Sequence, residues 1–303
     1  MVARLASRNG RAAASTGEAV VAAAVTRTAA HLRSAHATAH AAVGILNATA
    51  TGIGCALAVD GQVGATWRWD AEPGLRFSGP SDDRLAAAVL AKLGNGEGAT
   101  VATTSTLPPS RGLKTSSAAA AALLQAAFAA KGQALGKREL VAAAIEASLA
   151  AGVTLTGAFD DQLAAVRGGC HVTDNRRRRI LASIPVAPWH VAVWVPEAQI
   201  PKSRVATLDA SVLERPLREA ERLAQAGAVA GALTASGAAF TRLYRAANLP
   251  VTDEPARVAL AAGAAGAGLS GTGPAVAALF EKPVALPPVP GGTWSWHRAV
   301  EAA

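Results

Sequence analysis

The stretch LPPSRGLKTSSAAAAALLQAAF, residues 107–128, sets Arg111, Gly112 and Lys114 directly before three hydroxyl residues and an alanine-rich run of strong helix formers. A helix start leaves unpaired N–H groups and a partial positive charge, which together suit phosphate. Lys114 and Arg111 would add full positive charge there, and Gly112 would let the backbone approach an anion closely. Hydroxyl residues also cap helices, so a capped helix after a proline-containing loop is the plain reading and a phosphate cradle the functional one. The stretch is not a Walker-type P-loop. Leu107 stands where that motif needs its first glycine, and Leu113 separates Gly112 from Lys114.

A second stretch, TGAFDDQLAAVRGGCHVTDN at 156–175, places Asp160 and Asp161 before an apolar helical run. Such a pair serves either as an N-cap with first-turn charge or as chemistry. Phosphoryl transfer needs a group that orients or deprotonates the attacking hydroxyl, and positive charge on the phosphates. Two further stretches are weaker alone. In LSGTGPAV, residues 269–276, Gly271 and Gly273 permit close backbone approach around Thr272, though a tight turn has the same composition. In GILNATATGIGCALAVD, residues 44–60, Asn47 and Thr49 are candidate polar contacts within a strand–turn–strand pattern.

In this order, the four stretches resemble the motifs of the GHMP kinases, and in particular the archaeal-type shikimate kinases. The second motif of that superfamily has the generic form Pro-x-x-x-Gly-Leu-Gly-Ser-Ser-Ala. Pro108, Gly112, Leu113, Thr115 and Ser116 match it in register, with Lys114 in place of the third glycine. The resemblance implies a phosphate-binding loop of Pro108, Pro109, Ser110, Arg111, Gly112, Leu113, Lys114, Thr115, Ser116 and Ser117. Where members use a catalytic aspartate, it precedes a Gly-Gly pair by seven residues. Asp161 stands in that relation to Gly168, which implies Asp161 as base and Asp160 as a cap or supporting group, while Lys114 would be catalytic by neutralising charge as it shifts to the leaving phosphate. Gly271, Thr272 and Gly273 would support the phosphate loop and line the site with Asn47 and Thr49. ATP and Mg²⁺ are the implied cofactors, with Ser116 a magnesium contact. Glu146 is a candidate for the metal-linked carboxylate, although its distance from Asp161 departs from the generic pattern. Arg111 is a candidate contact to a substrate carboxylate or to phosphate.

The elements that must position these groups can be read from pattern. Strands are expected at 99–106, 169–174 and 189–195, and helices at 116–131, 137–151 and over most of 209–246, with Pro216 near a helix start. Leu124 and Phe128 lie on one stripe of the first helix. Asp60-Gly61 between two apolar runs predicts a hairpin over 53–69, and Trp67 and Trp69 would share one strand face. A Gly-rich turn and a strand close the core before Phe280. Hairpins mixed with non-alternating helices indicate an α+β class and no doubly wound sheet. The resemblance implies a two-lobed fold: an N-terminal lobe like the second domain of ribosomal protein S5 over 34–160, and a ferredoxin-like C-terminal lobe over 161–285. Residues 1–33 would be a peripheral extension, helical from Glu18 to Leu32, and 286–303 a peripheral tail.

Composition sets outer bounds. Across 303 residues, half of them apolar, there is ample material for a large core and little for global disorder. The net charge of +8 suits a protein that binds polyanionic ATP and an acid, and equally permits nucleic acid. Arg4, Arg8, Arg11, Arg27 and Arg33 against Glu18 concentrate that charge near the start. RRRR at 176–179 follows a turn signal and reads as a solvated hairpin tip, with nucleic-acid contact the minority alternative. His36 and His40 have a metal-like spacing but no third ligand. Cys55 and Cys170 read as buried small residues in a reducing cytoplasm. No apolar run reaches membrane-spanning length. The expected function is therefore ATP-dependent phosphorylation of the shikimate 3-hydroxyl, with small-molecule partners and no membrane. The alternatives are another GHMP kinase acting on homoserine, mevalonate or a cyclitol, or an inactive protein of this fold that contacts RNA. Oligomeric state is not legible.

Overall fold

The computed structural model describes residues 25–27, 33–200 and 202–303. Of the helix expected over 18–32, only 25–27 fall within the described residues, and they form a short strand, β1 (Val25–Arg27), paired with the next. Two sheets follow. The first contains β1, β2 (Arg33–Leu46), β3 (Ile53–Asp70), β4 (Leu75–Ser78), β5 (Gly98–Ser105), β6 (Cys170–Asp174) and β7 (Arg179–Ile184). The second runs in the order β11 (Gly292–Arg298), β8 (His190–Pro196), β10 (Val276–Phe280), β9 (Gly266–Leu269). Helices α1 (Asp83–Leu93), α2 (Thr115–Ala130), α3 (Lys137–Ala150) and α4 (Phe159–Arg167) belong with the first sheet. Helices α5 (Lys202–Ala206), α6 (Glu214–Gln225), α7 (Val229–Ala246) and α8 (Glu254–Ala261) come later in the chain. The arrangement is α+β, as its hairpins and unalternating helices predict.

The long strand β3 overturns the expected hairpin. It runs on through Asp60 and Gly61 because both of its edges are occupied. One edge pairs with β2 over 55–58 and 62–68; the other pairs with β6 over 53–57 and with β5 over 63–70. Asp60-Gly61 marks the change of partner. Residues 59–61 bulge there, with His40 opposite Gln62 and Ala42 opposite Ala58. A Cβ on Gly61 would lie 2.6 Å from Leu107 Cδ1, so a larger residue there would have to move that side chain. Tertiary pairing has overridden a strong local turn signal.

Helix α2 is also more deeply placed than a one-stripe helix. Every residue except Ser116, Gln125 and Phe128 is buried, because the helix lies against β2 and β3 and is covered by α1, α3 and α4. Alanine makes that possible: its small side chain lets neighbours approach on all sides without voids. Trp67 and Trp69 pack against each other at 5.1 Å on the same strand face, and Trp69 Nε1 donates to the Ala127 carbonyl of α2 at 3.0 Å. Cys55 and Cys170 are buried as expected. Though distant in sequence, their sulfurs lie 3.5 Å apart across β3 and β6.

The first sheet continues through β7 and the second begins at β8, so the change of sheet falls between Ile184 and His190. The expected division after residue 160 falls inside α4. Residues 286–303 are not a peripheral tail. They contain β11, which pairs with β8, and a final segment that docks on the first sheet. The Val300 amide donates to the Ala58 carbonyl at 3.0 Å, the Gly169 amide to the Val300 carbonyl at 2.9 Å, and the Ala303 amide to the Arg167 carbonyl at 2.9 Å. This strap explains the Gly168-Gly169 pair. Both stand at positive φ, and a Cβ on Gly168 would collide with the Glu301 carbonyl.

Candidate active site

The loop 108–114 enters α2 through three left-handed residues, Ser110 (φ 59), Gly112 (φ 85) and Lys114 (φ 56). Left-handed residues interspersed in this way turn successive amides towards one side and form an anion-binding concavity. Lys114 occupies the helix N-cap position, and no side chain caps the helix. The expectation that hydroxyl residues cap α2 is corrected: Thr115, Ser116 and Ser117 are already inside its first turn. The N-terminal amides of α2 therefore stay unclaimed by side chains. Lysine at a positive φ costs about 1–2 kcal/mol relative to glycine, so the backbone still has the shape for which the generic motif uses glycine.

The Lys114 side chain crosses a gap made of glycines from two other stretches. A Cβ on Gly44 would lie 3.0 Å from Lys114 Cε and 2.6 Å from the Gly271 nitrogen; one on Gly271 would lie 2.7 Å from Lys114 Nζ. Beyond the gap, Nζ lies 2.9 Å from Asp161 Oδ1 and 3.1 Å from Oδ2, so the ammonium straddles the carboxylate. Both side chains are mostly shielded, at 13% and 11% exposure. Burial works against a charged Lys114, but the charges of Asp161 and Asp160 outweigh it and hold its pKa above the ordinary lysine value.

Asp160 is more enclosed, at 3% exposure. Burial first, and the neighbouring Asp161 charge second, push its pKa up to about 7, against the opposing pull of Lys114 and Asn175. It is not the cap of α4. Ala158 holds that position at φ 49, and Asp160 and Asp161 sit in the first turn. Asn175, at the end of the β6 strand, serves this helix end from outside. Its Oδ1 accepts from the Asp160 amide at 3.3 Å and from Thr173 Oγ1 at 2.6 Å, while its Nδ2 donates to Asp160 Oδ1 at 2.8 Å.

The other expected residues divide into those drawn to this centre and those left outside it. Asn47 Nδ2 donates to the Gly271 carbonyl at 3.0 Å, and its Oδ1 accepts from the Thr49 amide at 3.1 Å. The Thr49 hydroxyl is buried without a protein partner. Gly273 packs on Leu269, and Thr272 is partly exposed at the tip of the same turn. Leu113 is core, its carbonyl accepting from the Ala42 amide at 3.2 Å. Pro109 and Ser110 are exposed and Pro108 partly so. Arg111 is committed elsewhere: Nε donates to the Pro196 carbonyl at 2.9 Å and Nη2 to that of Glu197 at 3.0 Å. It ties the loop to the end of β8. Glu146 pairs with Lys92 at 2.6 Å on an exposed surface, with 53% of its side chain open, and is not drawn to Lys114 and Asp161.

Sequence reading missed Ser270 and Asn175. Ser270 Oγ accepts from the Gly44 amide at 2.9 Å and donates to the Gly112 carbonyl at 2.8 Å, so one fully buried hydroxyl binds three stretches together. It stands inside LSGTGPAV, and a serine next to the glycines was the available signal. Among the described residues, no group of three or more His, Cys, Asp or Glu side chains forms a self-sufficient metal site. The partly exposed Ser116 hydroxyl at the start of α2 is the donor that suits an ion held otherwise by phosphate oxygens and water, the donor set magnesium prefers.

Comparison with known proteins identifies the family and the fold. Residues 83–169 match the family described as GHMP kinases N terminal domain. The shikimate kinase of Methanothrix thermoacetophila is 37% identical over 251 residues, covering 81% of this chain and 85% of the relative. The shikimate kinase of Thermococcus kodakarensis is 37% identical over 259 residues, covering 82% and 93%. Among solved structures, homoserine kinase from Cytophaga hutchinsonii superposes with a TM-score of 0.64 at 20% identity, covering 84% of this chain and 87% of its own. The L. major mevalonate kinase complexed with R-mevalonate gives 0.63 at 16% identity, covering 81% and 86%. These two share the fold. With the fold, the four converging stretches and relatives of this similarity in agreement, the chain belongs to the GHMP kinases, in the branch of the archaeal-type shikimate kinases.

Proposed function

We infer that this chain transfers the γ-phosphoryl group of ATP to the 3-hydroxyl of shikimate, giving shikimate 3-phosphate and ADP. The observation that carries the chemistry is the Lys114–Asp161 pair at the mouth of a left-handed amide loop. It sets a carboxylate, a fixed cation and free helix amides side by side. The choice of acceptor rests on relatives at 37% identity that carry the name shikimate kinase.

The amides of 112–116 would hold the ATP phosphates, with the positive end of α2 behind them. Asp161 would accept the proton of the attacking hydroxyl as its oxygen bonds to phosphorus and the bond to ADP breaks. Lys114 keeps Asp161 oriented and offers positive charge to the oxygens as negative charge moves onto the leaving ADP. Asp160 and Asn175 position the helix end that carries Asp161. Mg²⁺, held by Ser116 and the nucleotide, would neutralise phosphate charge when bound. Glu146 has no part in this reading.

ADP release should be measured for the purified chain with shikimate, homoserine, mevalonate and quinate. Shikimate should give the highest turnover above simple ATP hydrolysis. Equal or greater turnover with homoserine or mevalonate would remove the shikimate assignment and leave a kinase of another acceptor.

A further inference from the structure

The turn between β6 and β7 carries Arg176 to Arg179, and these arginines are used differently. Arg177 turns back to Asp174, donating through Nη1 to Oδ2 at 2.8 Å. Arg176 lies the other way, across the turn at 48–52. Its stem rests on Gly52 so closely that a Cβ there would sit 2.7 Å from Nε and 2.9 Å from Cδ. Its Nη2 donates to the Ala50 carbonyl at 3.3 Å. Gly52 also stands at φ 84, so both space and backbone conformation call for glycine beneath the arginine. Among the described residues no carboxylate pairs with Arg176. A guanidinium carries five donors, and the contact to Ala50 uses only one. Arg176 is solvent-exposed, its stem placed by Gly52 and Ala50, and among the described residues its charge faces no carboxylate.

That place adjoins the catalytic centre on two sides. The turn beneath Arg176 begins at Asn47, which donates to the Gly271 carbonyl beside Lys114. It ends at Gly52, whose carbonyl accepts the Asn175 amide at 2.9 Å. Asn175 immediately precedes Arg176 and donates to Asp160. The acceptor inferred above is a hydroxy acid, and a carboxylate brought into this site needs a cation of its own. Lys114 is engaged by Asp161 and lies at the phosphate loop; Arg111 has two of its three nitrogens tied to backbone carbonyls at the end of β8, which leaves only its buried Nη1.

We propose that Arg176 binds the carboxylate of the acceptor and so selects acids over uncharged alcohols. The proposal rests on the reading of the acceptor as a small hydroxy acid. Guanidinium and carboxylate meet through two parallel hydrogen bonds, which fix orientation as well as charge. The 3-hydroxyl, two ring carbons from the one that bears the carboxylate, would then be directed at Asp161.

The test is steady-state kinetics of the wild type, Arg176→Gln, Arg176→Lys and the control Arg177→Gln, with shikimate and with its uncharged methyl ester. Wild type should favour the acid over the ester. In Arg176→Gln the KM for shikimate should rise by roughly 10- to 100-fold, the range for one charged hydrogen-bonded contact. The KM for ATP should stay level and the preference for acid over ester should collapse. Arg176→Lys should recover part of that preference, and Arg177→Gln should keep it. A purely structural role for Arg176 would raise the KM for acid and ester together; an unchanged acid-to-ester ratio in Arg176→Gln therefore overturns the proposal. Should the wild type ignore shikimate and use another hydroxy acid, the acceptor assignment falls while the same ratio, measured on that acid and its ester, still decides the role of Arg176. An acceptor with no carboxylate would overturn both.

Discussion

Lys114 reaches Asp161 only because Gly44 and Gly271 lack side chains. The ammonium ends 2.9 Å from the carboxylate after passing a gap in which a single added carbon on either glycine would touch it or its stem. Three stretches far apart in sequence thus determine the position of one lysine. Removing one partner from a buried ion pair costs about 3–5 kcal/mol, so the gap protects stability as well as chemistry.

Gly271→Ala should damage catalysis and also cost stability, because Gly271 stands at φ 57, where alanine costs about 1–2 kcal/mol. Its new Cβ would meet the end of a flexible side chain, 2.7 Å from Nζ, so Lys114 can move aside at the cost of its place on Asp161. Turnover should fall roughly 100-fold, as for a displacement near 1 Å at a reacting centre. Gly44→Ala meets backbone, the Gly271 nitrogen at 2.6 Å, and should lower the melting temperature more than Gly271→Ala does. The reverse order of melting temperatures would contradict this account.

Ser270→Ala removes one hydroxyl and leaves two buried backbone groups, the Gly44 amide and the Gly112 carbonyl, without that partner. Each unsatisfied buried group costs about 1–3 kcal/mol. Denaturant unfolding should show a loss in that range or its double. Ser270→Thr keeps the oxygen and should restore part of the loss if the extra methyl is accommodated. A neutral Ser270→Ala would mean that water replaces the hydroxyl.

The site was legible where its chemistry is local. Lys114, Gly112 and the start of α2 are neighbours in sequence, so composition alone points to an anion-binding loop. Asp161 was singled out through the family resemblance, by its distance from Gly168, and the structure brings it to Lys114. Ser270 and Asn175 escaped because their roles are defined by distant partners: Ser270 lies 226 residues from Gly44, and Asn175 lies 15 from Asp160. Asp60-Gly61 misled because a turn signal carries no information about a strand already paired on both edges. The C-terminal strap escaped for a related reason. The prolines after Phe280 suggested a peripheral end, and the apolar–polar alternation in TWSWHR, which becomes β11, went unread.

The strap predicts a coupling. Gly168→Ala carries two penalties, a backbone at φ 70 and ψ −160, a region essentially confined to glycine, and a collision with the Glu301 carbonyl. In a chain ending at Arg298 only the first remains, about 1–3 kcal/mol. The substitution should cost at least 0.5 kcal/mol more in the full chain than in the shortened one, the scale expected for residues in contact. Equal costs would show that the strap does not press on Gly168.

Asp160 predicts a dependence of stability on pH. The folded protein holds its proton up to about pH 7, whereas an ordinary aspartate releases it near 3.8. Between these values the folded state binds more protons than the unfolded chain, so this carboxyl makes stability fall as pH rises from about 4 to 7, with no further change above. Asp160→Asn cannot ionise and still offers an oxygen to Asn175 Nδ2. Its melting temperature relative to wild type should climb across that window and level off above it. A difference that is constant from pH 4 to 8 would exclude a buried, raised Asp160.

Asp161→Asn separates chemistry from stability. The amide keeps the size of the side chain and loses its basicity. With Asp161 as the base, turnover should fall by roughly two to four orders of magnitude, while nucleotide affinity, carried by the loop amides, changes little. Stability should be largely kept, and the reason lies in the neighbour. The Asp161 charge is the second cause of the raised Asp160 pKa, after burial. Without that charge Asp160 ionises more readily and becomes the counterion of Lys114. The double variant Asp160→Asn with Asp161→Asn has no such reserve and leaves the ammonium buried and unpaired. Its loss of stability at pH 7 should exceed the sum of the two single losses by a clear margin, within the 0.5–3 kcal/mol range of directly coupled residues. Additive losses would show that Asp160 does not take over the lysine, and a fully active Asp161→Asn beside a folded but inactive Asp160→Asn would move the base to residue 160.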